Sequence, residues 1–183
     1  MSSELKPHLH LAVGHILFLD IVGYSKLLAD EQKELIQELN QIVRETKQFQ
    51  AAEAEGKLMR LPTGDGMVLV FTNNPEAPVE CALEISQKLQ SRPQLKLRMG
   101  IHSGPVNPVA DVNDQANLAG AGINIAQRVM ACGDAGCMVF FSAASVATVI
   151  TTKAAPIAAT KGRFDFIKNL RPLFEGSAPH VDQ

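Results

Sequence analysis

The stretch "LFLDIVGYSK", residues 17–26, places a single carboxylate, Asp20, within an apolar run. The surrounding residues 11–22, LAVGHILFLDIV, are rich in β-branched and apolar side chains, which predicts a buried strand. A buried carboxylate without a partner costs several kcal/mol or shifts its pKa until it is neutral. Asp20 therefore either reaches water at the mouth of the strand or is met by a cation.

The sequence that follows this strand predicts a β-α-β-β-α-β core. Apolar residues recur at three- and four-residue steps over about 25–50, which indicates a helix with Ser25 as its N-cap. Two apolar runs within 56–71 flank Thr63-Gly64-Asp65-Gly66, a pattern typical of a hairpin. A second amphipathic helix and a further strand are predicted at 79–90 and 95–102.

Beyond residue 102 the pattern predicts additional C-terminal α/β elements. We expect a loop or irregular strand at 103–115, a helix at 118–131, a strand at 137–142 and a short helix at 142–150. The fold class is therefore α/β (α+β), with a ferredoxin-like βαββαβ core whose sheet is covered by helices on one face. We expect one domain over 1–183, with its core at about 11–150 and a weakly patterned extension at 151–183 that ends in disorder.

The composition favours a globular protein that acts on a small ligand. Hydrophobic residues make up 46% of the 183 residues and charged residues 20%, and the net charge is −2. This charge provides no basic surface for nucleic acid and no electrostatic attraction to a membrane, and no apolar stretch is longer than a strand. The three cysteines, an odd count without metal-type spacing, indicate reduced thiols in a cytoplasmic protein.

Two carboxylates are candidates for a metal site. The first strand and the hairpin can lie side by side in a βαββ unit, so that Asp20 and Asp65 face each other. Two neighbouring carboxylates repel unless a divalent cation lies between them, and Mg²⁺ prefers such hard oxygen ligands. The simpler interpretation of Asp65 alone, between two glycines, is turn chemistry. The loop Val22-Gly23-Tyr24-Ser25 then precedes a predicted helix N-terminus, which favours phosphate.

Four motifs in order give the chain a family resemblance. "FLDIVGYSKL", "LPTGDGMVLVF", "LRMGIHSGPV" and "GAGINIAQRVM" resemble the catalytic domain of class III adenylate/guanylate cyclases over roughly residues 14–145. The resemblance implies that Asp20, Asp65 and the backbone carbonyl of Ile21 bind two Mg²⁺ (or Mn²⁺) ions per active site. It also implies that the amides of the loop that ends at Ser25 hold the triphosphate. Lys168, or Lys161, is a candidate for a further phosphate contact.

The resemblance also implies the reaction and the assembly. Asn124 and Arg128 match the N-x-x-x-R pair, in which Asn orients the ribose and Arg stabilises charge on the α-phosphate. The i, i+4 spacing places both on one helix face. In the family the metal aspartates and this pair come from different subunits of a head-to-tail homodimer with two shared sites. The implied reaction converts a nucleoside triphosphate to a 3′,5′-cyclic nucleotide and pyrophosphate.

The base-contacting positions depart from the family pattern. Adenylate cyclases have Lys, and guanylate cyclases Glu, four residues before the second metal Asp, whereas this chain has Leu61. The partner position, seven residues before the catalytic Asn, is Asn117 rather than the Asp that accompanies adenine. Leucine cannot hydrogen-bond a base, and asparagine both donates and accepts. ATP is the default substrate, and a pyrimidine triphosphate, CTP or UTP, is the alternative.

Two further interpretations belong to other classes of function. A catalytically silent cyclase fold would serve as a nucleotide-binding or dimerisation module. A polymerase or cyclic dinucleotide synthase would use a related palm-like βαββ fold. The presence of Asp20, Asp65, Asn124 and Arg128 argues against the first, and the Asn124/Arg128 helix argues against the second.

Overall fold

The computed structural model describes residues 12–110, 116–131, 137–142 and 145–151. The strands are β1 Ala12–Ile21, β2 Leu58–Pro62, β3 Gly66–Phe71, β4 Leu97–Ala110, β5 Ala116–Ala119, β6 Cys137–Ser142 and β7 Ser145–Thr151. The helices are α1 Ala29–Arg44, α2 Lys47–Ala54, α3 Ala77–Leu89 and α4 Ala121–Ala131, with a short 3₁₀ helix at Tyr24–Lys26. No helix in these ranges is both long and apolar enough to cross a membrane.

The sheet confirms the predicted α+β fold class. Its strand order is β2-β3-β1-β4-β6-β7, and β5 pairs with β4. The first four strands of this order pair antiparallel, which is the arrangement that a βαββαβ chain adopts when β3 and β1 lie at the centre. β6 adds in parallel to β4, and β7 returns antiparallel to β6. The C-terminal elements thus extend the same sheet.

Both faces of the sheet contact helices, so the expectation of helices on one face was wrong. Leu17 and Leu19 on β1 belong to the larger core, together with buried side chains of α1, α2 and α3. The alternate residues Ile16 and Phe18 point to the second face, where they join a smaller core with Ala126 of α4 and other apolar residues. We call this second face the α4 face.

Glycines bring α4 directly onto β4. A Cβ atom added to Gly100 would lie 2.5 Å from the carbonyl oxygen of Ala126 and 2.6 Å from the backbone nitrogen of Met130. A Cβ atom on Gly104 would lie 3.1 Å from the Cα atom of Gly122. These separations leave no room for a side chain, so backbone packs on backbone. The position of α4 on the sheet is therefore set by the two main chains.

The predicted first helix is interrupted twice. Its first turn is the 3₁₀ helix, and α1 begins only at Ala29, so Ser25 is not its N-cap. Leu28 occupies that position, and its N–H donates to the side chain of Glu31, 2.9 Å away. The second break lies at Thr46, which adopts an extended conformation and whose hydroxyl donates to the carbonyl of Val43 at 2.8 Å. A local side-chain bond of this kind competes with helix continuation.

The C-terminal predictions were confirmed only in part. The predicted short helix at 142–150 was wrong, because residues 145–151 form strand β7, in which β-branched residues predominate and which pairs with β6. Strand β4 continues through 103–110, where a loop or irregular strand was expected. The helix expected at 118–131 begins at Ala121, after β5. The extension at 152–183, with Lys161 and Lys168, lies outside the described residues.

Candidate active site

The structure brings Asp20 and Asp65 together at one end of the sheet. Asp20 lies at the end of β1 and pairs in register with Gly66, the first residue of β3. Asp65 occupies the turn just before it, and its carbonyl oxygen accepts a hydrogen bond from the N–H of Ile21 at 2.9 Å. The two carboxyl groups are close enough for Asp65 to raise the pKa of Asp20. The pairing of β3 with β1 therefore places Asp65 beside Asp20, as the order of elements predicts.

Asp20 is buried and already has a cationic partner. Its exposed fraction is 5%, and Arg98 lies directly opposite it on β4. The guanidinium of Arg98 donates through Nε to Oδ2 of Asp20 at 3.0 Å, and through Nη2 to the same oxygen. The cationic partner that the buried Asp20 carboxylate requires is therefore Arg98 of the same chain.

Opposing influences act on the pKa of Asp20. Burial, the largest, raises the pKa above its usual range, while the hydrogen bonds from Arg98 lower it. The neighbouring Asp65 raises it further, both by hydrogen bonding and by its charge. The net effect is a raised pKa, so the folded domain disfavours the presence of two ionised carboxylates here. A bound cation would remove that penalty.

The donor set suits a magnesium ion. Asp20 and Asp65 offer hard carboxylate oxygens. Ile21 follows Asp20 at the end of β1, and its N–H donates to the carbonyl oxygen of Asp65. Within the described ranges, no group of three or more His, Cys, Asp or Glu side chains forms a metal cage. Mg²⁺ commonly binds through one or two carboxylates and completes its shell with water and substrate phosphates. The residues present therefore fit a metal that is shared with a phosphate substrate.

The segment Val22–Ser25 differs from the prediction. It does not enter an α-helix, because Gly23 has φ 79° and caps the short 3₁₀ helix instead. A helix of this length has little dipole to offer an anion. The N–H of Val22 is also committed, since it donates to the carbonyl of Lys96 at 2.8 Å. Gly23, Tyr24 and Ser25 remain next to Asp20 along the chain, and Tyr24 packs against the larger core.

The predicted pair on α4 lies on its outer side. Asn124 and Arg128 are both exposed, one helical turn apart. The buried residues Ala126, Val129 and Met130 hold the opposite side of the helix against the sheet. The outward direction of Asn124 and Arg128 makes them accessible to a second molecule.

The two base-contacting candidates lie on different strands. Leu61 on β2 is half-buried and packs on the α4 face, where it pairs in register with Val68. Because Phe18 and Asp20 alternate onto that same face, Leu61 shares it with the carboxylate site. Asn117 lies on β5 and pairs in register with Val109 of β4.

Arg98 is the site residue that sequence reasoning missed. It lies within the motif LRMGIHSGPV, in a strand predicted correctly, and its alternation with Leu97 and Met99 marks it as facing away from the larger core. This alternation is the available signal. The register that sets Arg98 opposite Asp20 joins residues 78 positions apart, which periodicity cannot supply.

Comparison with known proteins agrees with this architecture. A guanylyl cyclase domain of the RhoGC fusion protein from the aquatic fungus Blastocladiella emersonii, crystallised as a monomer, is 22% identical with a TM-score of 0.56. The match covers 71% of this chain and 79% of that chain. The adenylate/guanylate cyclase/hydrolase from Silicibacter pomeroyi is 26% identical with a TM-score of 0.51, covering 71% of this chain and 76% of that one. The chain thus has the fold of class III adenylate/guanylate cyclase domains, and the resemblance is confirmed.

One curated relative supports the same class. The protein named "Putative adenylate cyclase 3" from Rhizobium meliloti strain 1021 is 27% identical over 138 residues, which is 72% of this chain. Those residues make up 22% of the relative, so the chain spans about a fifth of its length. No protein-family model matches the chain.

Proposed function

We propose that this chain is a nucleotidyl cyclase domain that converts a nucleoside triphosphate, by default ATP, to its 3′,5′-cyclic nucleotide and pyrophosphate. The juxtaposition of Asp20 and Asp65 at the end of β1, within a cyclase fold, is the observation that supports this activity most directly. A turn aspartate with a purely local role would not need to meet a buried carboxylate from another strand. The 27% identity to a protein named as an adenylate cyclase favours ATP.

The carboxylates and the Ile21 carbonyl would hold two Mg²⁺ or Mn²⁺ ions. When bound, such ions lower the pKa of the attacking 3′-hydroxyl and neutralise phosphate charge. In the absence of metal, Arg98 compensates the charge of Asp20 and orients Oδ2 through two hydrogen bonds. The N–H of Ile21 fixes the turn that carries Asp65. These contacts preorganise the site, and preorganisation is the main contribution of a protein to phosphoryl transfer.

Asn124 and Arg128 would complete the site of a second subunit. Their exposed position on α4 supports a homodimer with two shared sites, in which Asn124 orients the ribose and Arg128 stabilises the α-phosphate. Loss of a donor that stabilises developing charge costs about 10²- to 10³-fold in turnover. We expect a loss of that order for Arg128→Ala.

A pyrimidine triphosphate, CTP or UTP, is the second candidate substrate. The observation that favours it is the apolar, half-buried side chain of Leu61, which offers no hydrogen bond to the edge of a purine. Asn117 on β5, which pairs with β4, would then be the polar group that contacts the base. Substrate preference among the four bases separates this candidate from ATP.

Turnover of purified protein with Mg²⁺ or Mn²⁺ and each of ATP, GTP, CTP and UTP tests the proposal, with cyclic products identified by mass spectrometry. We expect one dominant cyclic nucleotide, and its loss in Asp65→Ala while circular dichroism remains unchanged. Product formation that survives Asp65→Ala would contradict the two-metal assignment. Absence of any product from a confirmed dimer would favour the silent nucleotide-binding or dimerisation module.

A further inference from the structure

A cavity lies beside the turn that carries Asp65, at the edge strand β2 and mostly on the face of the sheet opposite the carboxylates. Its volume is about 280 Å³, and it is bounded by α1, α2 and the β2–β3 hairpin. Val43, Phe49 and Met67, which line it, belong to the larger core, whereas Asp20 lies on the α4 face. Neither Asp20 nor Asp65 lines the cavity, although Leu61, the base-contacting candidate on the edge strand β2, does.

The cavity combines an apolar floor with a polar rim. Val43 and Phe49, with exposed fractions of 1% and 2%, provide the floor. Asn40 and Arg44 from α1 and Arg60 from β2 provide the polar part of the lining, which contains no acidic side chain among the described residues. An apolar enclosure with a few convergent polar groups is the usual form of a small-molecule site.

The charge of this rim is only partly compensated. Arg60 forms an ion pair with Glu53 at 2.6 Å, and its guanidinium lies 5.6 Å from the ring centroid of Phe49. Arg44 forms no ion pair with any carboxylate in the described part of the chain. The rim therefore has one exposed guanidinium without an acidic partner beside an apolar floor. A guanidinium recognises a carboxylate through two parallel hydrogen bonds.

We propose that this cavity binds a small organic carboxylate, with its apolar body on Phe49 and its carboxylate at Arg44. The volume accommodates about nine water-sized groups at about 30 Å³ each, which corresponds to a ligand of roughly ten non-hydrogen atoms. The amide of Asn40, one turn before Arg44 on α1, supplies a further donor to the anion. A whole nucleoside triphosphate would not fit within this volume.

The position of the cavity couples its occupant to the proposed active site. Gly64 and Gly66, the two neighbours of Asp65, both line it. Gly64 has φ 89°, a conformation that favours glycine, and the carbonyl of Asp65 is tied to the N–H of Ile21. A ligand that packs against this turn stabilises one placement of Asp65. This coupling rests on the proposed cyclase function, whereas binding itself does not.

Binding is tested on the whole chain without nucleotide or metal. The probe is 3-phenylpropionate, with 3-phenylpropionamide as its uncharged counterpart, and affinity is measured by calorimetry and by the shift in unfolding temperature. We expect saturable binding of the acid, with the amide weaker by about tenfold or more. Arg44→Gln should weaken the acid by a similar factor and leave the amide unchanged. Lys33→Gln, an exposed substitution on α1 outside the cavity, should change neither.

Equal affinity of wild type and Arg44→Gln for the acid would overturn the proposal, as would absence of binding by a series of carboxylates of about this size. Coupling is then measured by hydrogen exchange of the backbone amides of residues 63–66 with and without the acid, where we expect slower exchange. Because neither measurement uses turnover, a failed cyclase assay leaves the binding result intact. A change in the dependence of turnover on metal concentration upon addition of the acid would connect the two.

Discussion

Arg98 and Asp20 face each other across β4 and β1, and the guanidinium donates both of its hydrogen bonds to a single carboxylate oxygen, Oδ2. Asp20 is almost completely buried, whereas the side chain of Arg98 is 36% exposed. The cation therefore reaches water while its partner does not. This asymmetry allows Arg98 to compensate the charge of Asp20 in the metal-free domain, and the other carboxylate oxygen receives no hydrogen bond from Arg98.

Removal of Arg98 should destabilise the metal-free domain through Asp20. Arg98→Met leaves a buried carboxylate beside Asp65 without a cationic partner, and we expect a loss of about 1–3 kcal/mol in unfolding free energy. In an Asp20→Asn background the same substitution should cost less than about 0.5 kcal/mol, because no buried charge remains. Urea unfolding of the four proteins at neutral pH measures the coupling. Equal costs of Arg98→Met in both backgrounds would refute this account of the pair.

The pH dependence of stability should reflect the raised pKa of Asp20. Between its usual pKa and the raised folded value, the folded domain binds more protons at Asp20 than the unfolded chain does. The contribution of Asp20 to stability therefore falls as pH rises through that window. Asp20→Asn should remove this decline, and at pH 7 it should unfold at the same or a higher temperature than wild type while it loses turnover. A lower unfolding temperature would mean that the ionised carboxylate is net stabilising.

Gly100 should tolerate no side chain. In Gly100→Ala the new Cβ would overlap the backbone of α4, and displacement of that helix should cost about 1–3 kcal/mol in unfolding free energy. Turnover should fall further than stability predicts, since Asn124 and Arg128 move with α4. Gly56→Asn is the matched control, because Gly56 has φ 65° and no atom within 4 Å of an added Cβ. Its cost should stay below about 1 kcal/mol.

A shared site predicts complementation between inactive subunits. Asp65→Ala and Arg128→Ala should each be inactive alone. If the carboxylates and Arg128 of one site come from different chains, a mixed dimer contains one site with both substitutions and one intact site. Random equal mixing makes about half of the dimers mixed, so about a quarter of wild-type turnover should return. If subunit exchange is verified and turnover of the mixture is no higher than that of each variant alone, the full site lies within one chain.

Cys81 should be inert in the folded domain. Its thiol is completely buried and lies 3.3 Å from the hydroxyl of Thr46, and burial raises its pKa to about 12. Thiol reagents react with the thiolate, so labelling at pH 8 requires unfolding. In a variant with serine at positions 132 and 137, the labelling rate of Cys81 should follow the global unfolding rate as urea increases. Rapid labelling in native buffer would show local opening between α3 and α1.

The sequence predicts the central fold because its signals are local. The apolar run around Asp20 and the turn at Asp65 define a strand and a hairpin, and these two elements pair directly. Arg98 could not be assigned as a partner of Asp20, because strand register depends on contacts between residues far apart in the chain. At residues 142–150 the secondary structure itself was predicted wrongly. A helix was predicted there, but the β-branched residues of Ser145–Thr151 favour a strand, and the edge of β6 provides its pairing.

The glycine contact between α4 and β4 bears on how heat inactivates the domain. Where side chains separate two elements, rotamer changes permit small relative shifts at modest energy, but opposed main chains have no such freedom. Asn124 and Arg128 should therefore keep their placement relative to Gly100 and Gly104 until the sheet itself melts. In a sample that remains dimeric, thermal loss of activity and loss of secondary structure should then coincide in one cooperative transition.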